Sequence, residues 1–164
     1  MSAAQPHVPS PTGQRRIALI CAKAGLDEAY PALILANAAR ASGIDASIFF
    51  TFYGLDVITE KKVDNLHVSM VGNPGSPMPH ALAGLPGMDS VATTFMKKKM
   101  EELEVPNVRE MIQMISDAGC RIFACELAMN MMDLKLGDLL PQVDSVLTAE
   151  DFYKETVGAD IVFV

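Results

Sequence analysis

The chain has no tryptophan, few other aromatics (6% in all) and only three cysteines. An odd number of cysteines without Cys-x-x-Cys spacing makes neither a disulfide framework nor a zinc knuckle. A reducing cytoplasm is the expected compartment. Positive charge is also scarce, with 13 Lys and Arg against 20 Asp and Glu and a net charge of −7. The one basic cluster, Lys97-Lys98-Lys99, is followed by Glu101, Glu102 and Glu104 and reads as a solvated helix face. Nucleic-acid binding needs a concentrated positive patch, so that class of function is set aside. No hydrophobic run approaches the roughly 20 residues of a membrane span. Residues 1–14 hold three prolines and no charged-then-apolar secretory pattern, so they are expected to form a disordered tail. Residues 15–164 then make one domain, which is what this length allows.

Half the residues are hydrophobic, and the apolar mass is aliphatic side chains and 11 methionines. So much apolar surface on a small body suggests that part of it is shared with other subunits, and a homo-oligomer is expected. The pattern alternates strands and helices. Ile17 to Ala22 is an uninterrupted apolar run, as in a strand covered on both faces. Leu26 to Ser42 follows as a helix, with Asp27 a plausible N-cap and Gly43 its stop. Ile44 to Phe52, rich in β-branched and aromatic residues, reads as the second strand. The stretch from Asn65 to Asp89 carries four prolines and four glycines and is expected to be a lid, an interface element or disorder. Helices are expected over Ser90 to Leu103 and from Pro106, in a first turn, to about Asp117, with Gly119 ending the second. Arg121 to Cys125 is the third strand, and Glu126 to Leu134 a short helix. Asp144 to Leu147 is the fourth strand, Thr148 caps a last helix with Asp151 three residues on, and Ile161 to Val164 is the fifth strand. The expected fold class is α/β: one flavodoxin-like domain of about five mostly parallel strands with helices on both faces.

In such sheets ligands sit beyond the carboxyl ends of the strands, where strand order reverses. With the common order 2-1-3-4-5 that point falls between the first and third strands, whose last residues are Cys21 and Cys125. Both thiols are therefore expected at one crevice. Cys120 lies five residues before Cys125, about 16 Å away along an extended strand and on the other face, and is expected to be a buried small hydrophobe. At Cys125 the start of the following helix favours thiolate, while Glu126 opposes it. The bland reading, an inert thiol filling space at a strand end, stays open at this point.

Ala124-Cys125-Glu126-Leu127-Ala128-Met129-Asn130-Met131-Met132, with Asp117 to Phe123 before it, resembles the cysteine motif of DsrE/DsrF-like proteins. Ala36 to Ala39, Ser47 to Leu55, Lys97 to Met100 and Val146 to Tyr153 are similar to that family too. Two positions depart from it: Asn130 stands where an acidic residue is expected, and Asp133 where glycine is common. The resemblance implies a flavodoxin-like sheet, homo-oligomers and a cysteine that relays sulfur between proteins as a persulfide, without a bound cofactor. Cys125 would be the sulfur acceptor, and Cys21 a second thiol or a cleft wall. Sulfur donor and acceptor proteins, or small sulfur compounds, would be the partners. A non-catalytic assembly module with structural cysteines and a thiol peroxidase are the alternatives.

Other features carry less. The methionines fall mostly at helical core spacing, where packing explains them better than a soft metal. His67 and His80 are loop histidines, and no metal site is expected from them. Gly84-Leu85-Pro86-Gly87-Met88 lacks the lysine and preceding strand of a phosphate cradle.

Overall fold

The computed structural model describes residues 15–68 and 88–164; the expected tail at 1–14 and most of the expected 65–89 loop lie outside the described residues. Five strands form one sheet: β1 (Arg16–Cys21), β2 (Asp45–Phe50), β3 (Arg121–Cys125), β4 (Ser145–Leu147) and β5 (Asp160–Phe163). All neighbouring pairs are parallel, in the order β4-β3-β2-β1-β5. This corrects the order 2-1-3-4-5 expected above. β2 lies between β1 and β3, because the chain steps in one direction from β1 through β4 before crossing back to place β5 beside β1.

Right-handed crossovers then decide the layers. Three steps in one direction put their helices on one face: α1 (Leu26–Ala41), α2 (Met88–Glu102), α3 (Val108–Asp117) and the short α4 (Glu126–Met131). The one step back puts α5 (Ala149–Glu155) on the other. Packing agrees. α1 lies against β1, β2 and α3, and Phe152 of α5 stacks on Phe49 of β2 with ring centroids 4.7 Å apart. The core between α1, α3 and the sheet is aliphatic, with Leu19, Leu33, Ile48, Ile112, Ile115 and Ile122 fully buried.

Helix ends follow local chemistry, with two departures from expectation. α1 begins after Gly25 with no side-chain cap, and Asp27 lies inside its first turn, where a carboxylate still favours the positive end of the helix. α3 starts at an Asn107 cap rather than at Pro106. Asn107 accepts from the Glu110 N–H (2.9 Å) and the Glu110 carboxylate accepts from the Asn107 N–H (3.0 Å). Thr148 caps α5 as expected, accepting from the Asp151 N–H.

Gly43 and Gly119 both take positive φ and close their helices with paired backbone bonds, as their residue type suggests. Asp133 does the same for α4 with φ 54: its N–H reaches the Asn130 carbonyl, and the Leu134 N–H reaches Met129. That backbone suits glycine, the residue the resemblance led one to expect there, and Asp is among the side chains that tolerate it.

Past β2 the chain enters a tight turn, Phe52–Ile58, that folds over the end of β1. The Thr51 N–H donates to the Cys21 carbonyl (3.0 Å), and a Cβ on Gly54 would overlap that same oxygen. Gly54→Ala is therefore expected to cost about 2 kcal/mol, since backbone rather than a flexible side chain must give way. A denaturant titration of the variant checks this, and an unchanged midpoint would show that the turn is loosely seated.

Candidate thiol site

Strand register decides how the three cysteines relate. Cys21 is level with Phe50 of β2, and Phe50 is level with Ala124 of β3. Side chains alternate along each strand, so Cys21, Phe50 and Ala124 share the face that carries α1 and α3. Cys125, one residue further on, joins Arg121 and Phe123 on the α5 face. Two strand spacings, roughly 9.6 Å, separate the backbones of β1 and β3. The two thiols expected at one crevice therefore lie on opposite faces with a strand between them.

Cys21 is wholly enclosed. Its Sγ donates to the Lys23 carbonyl (3.5 Å), and burial first, partly offset by that bond, pushes its thiol up to about 11. Cys120 sits just before β3 at the opposite end of the sheet, 3% exposed. Burial lifts its thiol to about 12, as suits the small hydrophobe expected there. Cys125 is the least enclosed of the three, at 9%. It is the N-cap residue of α4, and its side chain accepts no bond from the first turn, so the sulfur is not committed to capping.

The sheet's reversal point supplies the rest of the site. Helices after adjacent strands diverge to opposite faces only between β3 and β4, where α4 leaves one way and α5 the other. In open parallel sheets that divergence opens the crevice. Cys125 is level with Leu147, the last residue of β4, directly before the Thr148 cap of α5. The crevice expected between the first and third strands is therefore not formed: Cys125 ends beside β4, and Cys21 lies on the other face beyond β2. A hollow of about 400 Å³ does lie at the end of β1, lined in part by Lys23, Glu28, Tyr53, Asp56 and His67, but neither thiol forms its wall.

Two features of the rim escaped the sequence reading. Phe52 holds φ 46, a left-handed conformation rare for a bulky residue, where β2 runs into the turn that packs on β3 and α4. Outward on α4, Leu127 and Met131 are 66% and 63% exposed. The Phe-Phe-Thr-Phe-Tyr-Gly-Leu run, with an aromatic two residues before a glycine, held the only hint of the first.

The two buried thiols predict a specific alkaline limit. Unfolded, each ionises near 9; folded, near 11 and 12. The folded state thus keeps protons that the unfolded state releases. Their contribution is complete below pH 9 and is lost as pH climbs through 11 and 12. Tyr30, buried against α3 and raised to about 12, adds to the same loss. Urea midpoints should fall steeply above pH 9, and Cys21→Ala should flatten the slope between 9 and 11. An identical slope in that variant would show that Cys21 ionises freely in the native state.

A parallel α/β sheet with a thiol at its reversal point is the class that fold and site define. The chain belongs to the DsrE/DsrF/DrsH-like family, whose model matches residues 13–164. It is 36% identical over 139 residues to the sulfur carrier protein DsrE2 of Allochromatium vinosum, covering 80% of this chain and 86% of that one. It is 24% identical over 135 residues to the uncharacterized protein YrkE of Bacillus subtilis, covering 79% and 84%. Among solved structures, the ychN protein from E. coli superposes with TM-score 0.56 at 13% identity. MTH1491 from Methanobacterium thermoautotrophicum, titled a protein of unknown function, gives 0.52 at 12%. Each covers 92% of this chain and all of its own, and each shares the fold. No described helix is long and apolar enough to cross a membrane.

Proposed function

We propose that this protein carries sulfane sulfur as a persulfide on Cys125 and passes it to a partner. The observation that carries the reading is the contrast among thiols: two are sealed and hard to ionise, and the third, the least enclosed, stands uncommitted at the end of β3 where α4 begins. In loading, the Cys125 thiolate attacks the outer sulfur of a donor persulfide or polysulfide. One S–S bond forms, one breaks, and a persulfide donor leaves as a thiolate, a polysulfide donor as a polysulfide anion one sulfur shorter. In discharge, a partner thiolate attacks the outer sulfur and Cys125 is regenerated as thiolate. Neither step needs an oxidant or a metal. A recessed Sγ suits this chemistry, because the added sulfur stands about 2 Å further out and becomes the reachable atom.

The family and the naming of the Allochromatium relative as a sulfur carrier support this reading. An assembly into homo-oligomers accords with the apolar composition and remains part of the proposal. A thiol peroxidase that closes a Cys21–Cys125 disulfide is disfavoured. Bridged cysteines need Cα atoms within about 7 Å, and here a strand intervenes. Intact mass after polysulfide exposure should show one added sulfur, mapped by peptide analysis to Cys125. Loading that maps to Cys21 or Cys120 would remove Cys125 from the mechanism, and a Cys125 inert to alkylation in the folded protein would favour a structural module.

A further inference from the structure

The space between α1, α2 and the start of α3 is not filled. A second hollow, of about 260 Å³, lies there, and none of the three cysteines lines it. Its inner wall is apolar and buried: Leu26 and Tyr30 of α1, Val63 and Leu66 around the 63–65 turn, and Val108 of α3. Leu26 and Tyr30 stand one turn apart on one stripe of α1, and Lys97, Met100 and Glu101 share one stripe of α2. Native interiors hold few voids larger than a water molecule. Here helix stripes that would interdigitate in a filled core are held apart.

The polar groups of the hollow are mostly engaged. The Tyr30 hydroxyl donates to the Pro106 carbonyl (2.9 Å), and Lys97 donates to the Asp64 carbonyl (3.2 Å), tying α2 to the turn. The Asp64 carboxylate is held by Arg109 at 2.8 Å, and Asn107 accepts from the Glu110 N–H. Asp64, Lys97, Glu101 and Asn107 are exposed and mark the mouth. A buried water needs two or more polar partners, and the aliphatic side chains of the inner wall offer none.

We infer that this hollow is a binding site for a small uncharged apolar molecule, the size of one or two fused aromatic rings, whose presence braces α2 against α1 and α3. Volume sets the size, since an apolar cavity of about 150 Å³ takes benzene. The inner wall sets the polarity, and a mouth that carries both signs of charge favours no ionic end. α2 also meets the body of the protein through Thr93, whose hydroxyl accepts from the Val68 N–H (2.9 Å). An apolar body lodged against Met100 adds packing along a stripe that the hollow leaves unfilled.

The chain has no tryptophan, so indole, an uncharged fused bicycle, is followed by its own fluorescence in the full-length protein. Titration should give a saturable blue shift with a dissociation constant on the order of 0.1–1 mM. In protein carrying methyl-labelled methionine, ring current should move the Met100 signal and leave those of Met129 and Met131, on α4, in place. Amide exchange along α2 should slow at saturation. Val105→Phe, at a half-buried position lining the hollow, should fill it and abolish the blue shift. Should that variant not fold, the Met100 signal of the parent still decides. Phe163→Ser, at an exposed apolar position away from the hollow, should bind indole like the parent. Indole-3-carboxylate should bind about tenfold more weakly, because Glu101 and Asp64 flank the mouth and Lys97 is already donating. No saturable shift, or movement of Met129 or Met131 with Met100 unmoved, would overturn the site. A carboxylate bound as tightly as indole would overturn the uncharged class, and unchanged exchange along α2 would overturn the bracing.

Discussion

Cys125→Ser is expected to abolish sulfur loading while leaving the fold intact. Serine is close to cysteine in size, the side chain makes no capping bond, and one-tenth of the residue already meets solvent. Its hydroxyl cannot form a persulfide, so intact mass after polysulfide exposure should return the unmodified protein. Matching Cys21→Ser and Cys120→Ser variants should load like the parent, though each places a hydroxyl where a buried thiol sat and loses stability of about 1–3 kcal/mol. Far-ultraviolet circular dichroism separates the two effects. Full loading of Cys125→Ser, with the sulfur found elsewhere, is the result the carrier reading could not survive.

Arg16→Met should produce the largest loss of stability, about 3 kcal/mol at neutral pH, or roughly 10 °C in melting temperature for a chain of this size. Arg16 is buried, yet its guanidinium finds three acceptors. It donates to the Val157 carbonyl (2.6 Å), the Glu155 carbonyl (3.0 Å) and the Asp45 carboxylate (3.3 Å). The two carbonyls lie at the end of α5, where a cation also meets the negative end of the helix. Glu155, itself buried, pairs with Arg121 at 2.7 Å. Methionine matches the length but leaves the Val157 carbonyl without that donor and the Glu155 carbonyl with only a long bond from Arg121 (3.5 Å), in a site closed to water. A calorimetric melt within a few degrees of the parent would mean that water or a neighbouring arginine takes over.

Most of the elements were legible because their signals are local. The apolar run at Ile17–Ile20, the glycines at 43 and 119, and the Thr148–Asp151 cap each announce a backbone state within a few residues. Cys120 as a buried hydrophobe followed from its distance to Cys125. Strand order was not legible. Five strands joined by crossovers obey the same handedness in several arrangements, and the choice depends on which faces pack best across the whole sheet. Cys21 was misplaced for that reason. Its own position at the end of β1 was read correctly, but whether β3 or β2 lies beside it is a non-local fact. The cap of α1 was also missed, though not its first residue, because Gly25 offers no side-chain signal and Asp27 mimics a cap. Asp133 shows the reverse case: a departure from the usual residue type that becomes intelligible once φ is known.

β1 is an interior strand, flanked by β2 and the edge strand β5, yet β5 is synthesised only after the other four strands and their helices. Closing so long an intervening chain is entropically slow. On the ribosome, β1 must therefore wait with one edge bare, holding Ile17 and Leu19 level with an empty lane. The interval before that lane fills is when a nascent copy is most open to chaperones and to mispairing with another strand.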